Sequence, residues 1–250
     1  MSLNFTKMHG CGNDFLIIDL RNQTLDLTKD KVRQLADYKK AIGFDQLITI
    51  ENSNIADIGI RIFNNDGSEV AACGNGSRCV AKLIIESSNK INITISTSNR
   101  IITAKRLNNL ISINMGKAEV IARNIKFGEI AGSLVEIGNP HIVINNISNL
   151  DPLVFGPLIE NDQRFPNKVN VNFAKIIDRN LVALSTWERG AGATLACGSG
   201  ACATFFLLYK QGLVNKEAVI SQLGGDLTIS IENEDIIMAG EAHISYRGII

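Results

Sequence analysis

The sequence predicts an α+β protein of two pseudo-symmetric halves. Each half is expected to be a curved, mostly antiparallel sheet wrapped around a central apolar helix, with the active site in the interdomain cleft. Three observations carry this expectation. First, a cysteine followed by glycine, a small polar residue and glycine occurs twice, in "AACGNGSRC" (71–79) and "LACGSGAC" (195–202), about half of a 250-residue chain apart. Second, the repeat extends beyond the cysteines: "GNDF" (12–15) matches "GNPH" (138–141), and "FNNDGSEVAACG" (63–74) matches "WERGAGATLACG" (187–198). Asn64 and Glu188 therefore precede their cysteines by the same spacing. Third, each loop leads into an apolar stretch without a clear polar face, "CVAKLII" (79–85) and "ACATFFLLY" (201–209), the pattern of a buried helix. An ancient duplication explains the matched spacing, and independent glycine-rich turns are the simpler alternative.

The elements follow in order. "LIID" (16–19), "QLITIE" (46–51), "IGIRIF" (58–63), "INITIST" (91–97) and "LISINM" (110–115) read as strands. "TKDKVRQLADY" (28–38) reads as a helix, with Thr28 as N-cap and Val32, Leu35 and Ala36 on one face. In the second half "DPLVFGPLIE" (151–160) takes the corresponding place, and Pro157 is expected to break or kink it. "VNVNFAKII" (169–177) and "LVALSTWE" (181–188) are the next strands. "INMGKAEV" (113–120) is the expected crossover, dividing the chain into halves 1–116 and 117–250. The segment 240–250, "GEAHISYRGII", is placed to return and pair with the first half.

Composition narrows the partners. Lys+Arg and Asp+Glu number 25 each, so no net charge or basic block argues for nucleic acid or a membrane surface. No apolar run reaches a membrane span, and the first residues lack the apolar core of a signal peptide, so the expected location is cytoplasmic. The five cysteines, Cys11, Cys73, Cys79, Cys197 and Cys202, are odd in number and form no CxxC pair, which argues against a disulfide framework or zinc ribbon. With three scattered histidines, His9, His141 and His243, no metal site is expected. The expected ligand is a small molecule.

Cys73 and Cys197 stand where the buried helices begin. The first N–H groups of a helix have no partner within it, and its dipole is positive there. Such a position lowers a thiol pKa from about 8.5 toward about 3.5–7.5. The N–H groups of Gly74, Asn75 and Gly76, and of Gly198, Ser199 and Gly200, are placed to bind an anion. Two such loops facing each other would put one carbon between two sulfurs. One sulfur then removes a proton from one face and the other delivers a proton to the opposite face, which inverts a stereocentre. The carbanion beside a carboxylate needs preorganised donors, each worth roughly 2.7–4 kcal/mol, in a closed and dry site.

"KMHGCGNDF" (7–15), "GFDQL" (43–47), "RIFNNDGSEVAACGNGSRC" (61–79), "GNPH" (138–141), "RFPNKVN" (164–170) and "ERGAGATLACGSGAC" (188–202) resemble the diaminopimelate epimerase family, in its order and over nearly the whole chain. The resemblance implies interconversion of L,L- and meso-diaminopimelate without pyridoxal phosphate or any other cofactor, in lysine and peptidoglycan synthesis, by a homodimer. Cys73 and Cys197 match the thiol/thiolate pair, with Gly74, Asn75, Gly198 and Ser199 in the anion cradles. Asn13, Gln46 and Asn139 match residues around the reacting centre, and Asn64, Asn170, Glu188 and Arg189 match residues that hold the distal amino-acid end. A distal carboxylate suits Arg189 and a distal ammonium suits Glu188. Neighbouring strand residues point to opposite faces, so both reach one ligand only if the strand ends there, as Gly190 permits. Cys11 and Ala193 depart from the family's usual leucine and acidic residue.

Plainer roles suit the remaining residues: Cys79 and Cys202 as core, Cys11 as structural, His141 as a turn residue after Pro140. "GSGACA" (198–203) matches a dinucleotide fingerprint formally but lacks the strand–loop–helix setting. Two alternatives stand beside the epimerase: a proline or hydroxyproline racemase/epimerase, whose first cysteine motif typically has histidine in place of Asn75, and a binding protein switched by a Cys73–Cys197 disulfide. Diaminopimelate exchange without proline exchange separates the first, and activity of the reduced protein the second.

Overall fold

The computed structural model describes residues 3–71, 73–145 and 150–250. The chain divides into two compact units, Met1–Ile113 with Gly240–Ile250, and Asn114–Ala239.

The first unit contains β1 (Asn4–Gly10), β2 (Asn13–Asp19), α1 (Lys29–Ala36), β3 (Gln46–Glu51), β4 (Ile58–Asn64), β5 (Glu69–Val70), α2 (Gly74–Ser88), β6 (Asn92–Ser96), β7 (Ile101–Leu107) and β8 (Leu110–Gly116). The second contains β9 (Glu119–Phe127), β10 (Ile130–Glu136), β11 (Pro140–Ile144), α3 (Pro152–Glu160), β12 (Asn170–Asp178), β13 (Leu181–Glu188), β14 (Gly192–Thr194), α4 (Gly198–Lys210), β15 (Glu217–Gln222), β16 (Gly225–Glu232) and β17 (Asp235–Gly240). The last strand, β18 (His243–Ile249), runs antiparallel to β1 and so belongs to the first unit.

The two units repeat one plan. In the first, β1 and β2 are antiparallel, β2 and β3 parallel, β3 and β4 antiparallel, and β4 is parallel to β6. In the second, the same relations hold for β10 with β11, β11 with β12, β12 with β13, and β13 with β15. The fold is therefore α+β with two repeated, mostly antiparallel halves. The central helices are buried along most of their length: Cys79, Val80 and Ala81 of α2 and Ala201, Cys202, Ala203, Phe205 and Leu208 of α4 have no accessible surface. No helix among the described residues is long and apolar enough to cross a membrane.

α1 is capped as its sequence predicts, with Thr28 Oγ1 accepting from the Lys31 amide and Val32, Leu35 and Ala36 buried. α3 continues through Pro157, so the break that the sequence allowed for does not occur there. The helix is short, and Asp151 caps it by accepting from the Leu153 amide. Pro157 removes only one internal donor, and the packing of Gly156 on Trp187 holds the helix in place. A Cβ on Gly156 would lie 2.6 Å from Trp187 Cγ, so this glycine sets how closely α3 lies on β13.

Candidate active site

Each candidate cysteine is the N-cap of its central helix. Cys73 has extended backbone (φ −148°, ψ 110°) and its sulfur accepts from the Gly76 amide at 3.4 Å. Cys197 has nearly the same conformation (φ −129°, ψ 113°) and accepts from the Gly200 amide, also at 3.4 Å. Sulfur here takes the place that a serine or aspartate oxygen takes in an ordinary cap. The anion cradle expected from the sequence is accordingly reduced. The Gly76 and Gly200 N–H groups already serve their own sulfurs, while Gly74, Asn75, Gly198 and Ser199 occupy the first two positions of each helix, whose donors have no carbonyl partner within it.

Both second glycines are required by close approach. A Cβ on Gly76 would lie 2.5 Å from Ile48 Cδ1 and 3.2 Å from Phe15 Cε1. A Cβ on Gly200 would lie 2.3 Å from Asn172 Oδ1. β3 and β12 thus lie directly beneath the two cysteine loops, one presenting hydrocarbon and the other an amide.

In the first unit, the half-buried Cys73 lies 3.9 Å from Asn13 Oδ1, to which its thiol donates. Asn13 is braced by Asp45, whose carboxylate accepts from both Asn13 Nδ2 and the Asp14 amide at 2.9 Å. Gln46 and Asn64 are register partners across β3 and β4, and Gln46 Nε2 donates to Asn64 Oδ1 at 3.0 Å. Asn75 is buried, and its Oδ1, like Gln46 Oε1, has no hydrogen-bond partner among the described residues. Cys11 adopts a left-handed conformation (φ 54°) ahead of Gly12 (φ 76°) in the two-residue turn joining β1 to β2. The fully buried Arg78 donates to its sulfur at 3.5 Å.

In the second unit, Cys197 is buried, its amide donating to Gln222 Oε1 at 2.8 Å and its sulfur 3.6 Å from Ser199 Oγ. The sequence expectation of a lowered thiol pKa is corrected here. Burial pushes the Cys197 thiol well up, and the neighbouring Glu188 carboxylate pushes it further, against smaller opposing bonds from Ser199 and the Gly200 amide. Desolvation of a thiolate outweighs the helix end.

The strand β13 ends at Glu188, which still pairs with Gly192 of β14, and Gly190 follows with φ +77°, so Arg189 leaves the strand alternation. Glu188 Oε1 accepts from Thr194 Oγ1 at 2.7 Å. Arg189 is exposed, its guanidinium donating to the Asn167 carbonyl at 3.2 Å. Asn170 is buried, donating to the Pro140 carbonyl and accepting from the Arg189 amide, each at 3.0 Å.

His141 is not a turn residue. It lies in β11 with no accessible surface, held neutral with its pKa lowered to about 3 by burial and by the Arg189 charge. Its Nε2 is 3.0 Å from Ser199 Oγ and 3.1 Å from Asn139 Oδ1. Its Nδ1 is 3.0 Å from Asn172 Nδ2. His141, Asn172, Asp45 and Gln222 are the residues that sequence reasoning missed. A signal existed for two of them: His141 lies two positions from Asn139 and Asn172 two from Asn170, the spacing that puts strand residues on one face. Gln222 carries no comparable signal.

A family model for diaminopimelate epimerase matches residues 5–121 and 133–245. A diaminopimelate epimerase from Pelagibacter ubique (strain HTCC1062) is 41% identical, covering 95% of this chain and 94% of its own. One from Pseudomonas syringae pv. tomato is 38% identical over 99% of both chains. Among solved structures, a hydroxyproline epimerase from Agrobacterium vitis shares the fold, with a TM-score of 0.74 at 15% identity, over 100% of this chain and 92% of that one. Matched along both halves and at this level of identity, the chain belongs to the diaminopimelate epimerase family.

Proposed function

We propose that this protein interconverts L,L- and meso-diaminopimelate by a cofactor-independent two-base reaction in which Cys73 and Cys197 are the catalytic residues. The observation that carries the reading is the repeated cysteine cap: two thiols, one per half, in the same backbone conformation at the head of the same buried helix. Family membership supplies the substrate.

In one direction a thiolate takes the α-proton from one face of the substrate carbon. The electron pair delocalises onto the adjacent carboxylate, and the other thiol gives its proton to the opposite face. The first sulfur ends as thiol and the second as thiolate, so the roles are exchanged for the reverse direction. Burial and the neighbouring Glu188 carboxylate favour the neutral thiol at Cys197, which supports its acting as the proton donor in the ligand-free protein. Gly74, Asn75, Gly198 and Ser199 contribute the donors for the carboxylate. Asn13, Gln46 and Asn139 line the reacting centre. Asn64, Asn170, Glu188 and Arg189 hold the distal amino-acid end, where a ligand lacking that end would leave charged groups unpaired. The protein acts in the cytoplasm, as a homodimer.

The test is proton NMR of the reduced protein in D₂O with L,L-diaminopimelate and, separately, L-proline. Loss of the α-proton signal with diaminopimelate alone, together with appearance of the meso isomer, is expected. Exchange with proline would move the protein to the racemase branch and overturn the distal assignment. Exchange with neither would overturn the enzymatic reading.

A further inference from the structure

Asn172 is fully buried beneath the second cysteine loop, and its amide orientation follows from its neighbours. Nδ2 lies 3.3 Å from the Ile142 carbonyl, which can only accept, and Oδ1 accepts from Thr186 Oγ1 at 3.2 Å. Nδ2 is therefore the donor in the 3.0 Å contact with His141 Nδ1. A neutral imidazole has one donor and one acceptor nitrogen. With Nδ1 accepting, the ring proton lies on Nε2, where it faces Ser199 Oγ and Asn139 Oδ1. Asn139 Nδ2 also approaches Ser199 Oγ, at 3.5 Å. The serine oxygen thus receives donors from two sides, and its own proton is left for the Cys197 sulfur at 3.6 Å.

We propose that Asn172 is a positioning residue, which locks His141 in the tautomer protonated on Nε2 and thereby turns the Ser199 hydroxyl onto the Cys197 sulfur. The lock exists in one half only. Phe15 pairs with Gln46 as His141 pairs with Asn170, and Ile48 stands two residues further along β3 as Asn172 does along β12. The loop of Cys73 therefore rests on Phe15 and Ile48, which can direct no proton. One duplicated cap thus carries the Ser199 hydroxyl beside its sulfur and the other has Asn75 at the matching position, which distinguishes two thiols that share a backbone conformation. An oriented hydroxyl supports charge on Cys197 when that residue has given up its proton during turnover.

The catalytic part of this proposal rests on the proposed epimerase reaction, whereas the tautomer does not. The chain has three histidines, so nitrogen-15 histidine labelling gives a countable spectrum, assigned by subtraction with His9→Gln and His243→Gln. Long-range proton–nitrogen correlation at neutral pH is expected to show His141 with its proton on Nε2. Asn172→Asp, nearly isosteric, replaces the donor with an acceptor and is expected to move the proton to Nδ1. The same variant should lower kcat for diaminopimelate about tenfold, the worth of one hydrogen bond, with KM changed less than about twofold. A merely structural residue would move neither the tautomer nor kcat alone. A wild-type His141 protonated on Nδ1 would overturn the proposal, as would a reversed tautomer with unchanged kcat. If Asn172→Asp does not fold, the wild-type spectrum and Asn172→Ala decide, the latter expected to lose the single tautomer. A wild-type chain without turnover but with the Nε2 tautomer would count against the epimerase reading while supporting the lock.

Discussion

Gln46 and Asn64 are register partners across β3 and β4, joined side chain to side chain at 3.0 Å, on the strands that carry the first cysteine loop. Two residues assigned to different ends of the substrate therefore act on each other. Gln46→Ala and Asn64→Ala are each expected to raise KM for diaminopimelate. In a double-mutant cycle the two effects should be coupled by about 0.5–1.5 kcal/mol. Additive effects would show that the pair is not a unit.

Replacing a thiol with a hydroxyl leaves a far weaker base at the same cap. Cys73→Ser and Cys197→Ser are each expected to lower epimerisation about 10²- to 10⁴-fold with the fold intact. The D₂O exchange assay with circular dichroism on the same samples checks both statements. Near-normal turnover in either variant would remove that cysteine from the mechanism.

The glycines beneath the sulfurs are steric necessities. Alanine usually stabilises a helix over glycine by about 1 kcal/mol, yet at Gly76 and Gly200 the new Cβ meets Ile48 and Asn172 within van der Waals contact. Gly76→Ala and Gly200→Ala are expected to destabilise by about 1–3 kcal/mol in urea denaturation. Ile48→Ala should recover much of the loss in the Gly76→Ala background, because the clash is with the end of that side chain. Failure of the second substitution to help would mean that another contact sets the cost.

His141 gives stability a particular pH dependence. Its folded pKa is lowered to about 3 from the ordinary 6.5, by burial first and by Arg189 second. Below pH 6.5 the unfolded chain takes up a proton that the native ring refuses, so stability is lost as pH falls toward the folded value. The slope from this residue is roughly 1.4 kcal/mol per pH unit. Urea titrations between pH 7 and 4.5 should show it, and His141→Gln should lose it. An unchanged slope in that variant would place the acid sensitivity elsewhere.

Much of this architecture is legible in the sequence because the informative features are local. Thr28 announces a helix start by its side chain, and the alternation in "INITIST" announces a strand at the residues where β6 lies. The cysteine loops announce themselves through glycines that the packing demands. The features that were not legible depend on what lies across a sheet. His141 follows a proline in a motif that reads as a turn, and its burial comes from a strand flanked on both edges, by Val135 of β10 and Asn170 of β12. The same holds for Cys197, where the helix end argues for a thiolate and the surrounding burial, invisible along the chain, reverses the sign. Pro157 misleads because helix-breaking is a local rule, whereas α3 is held by Asp151 at its start and by Trp187 beneath Gly156.

The pairing of β1 with β18 has a consequence for synthesis. Asn4 lies opposite Ile249, so the two halves of this ladder leave the ribosome nearly a whole chain apart. The unit made of one continuous segment has all its strands while the other still has an open edge along β1. That edge is a template for pairing with another chain until its partner arrives. Late closure of so distant a contact also slows folding. A chain cut before Gly240 would keep both cysteine caps and every residue assigned to the substrate, and would still be expected to aggregate from its first strand.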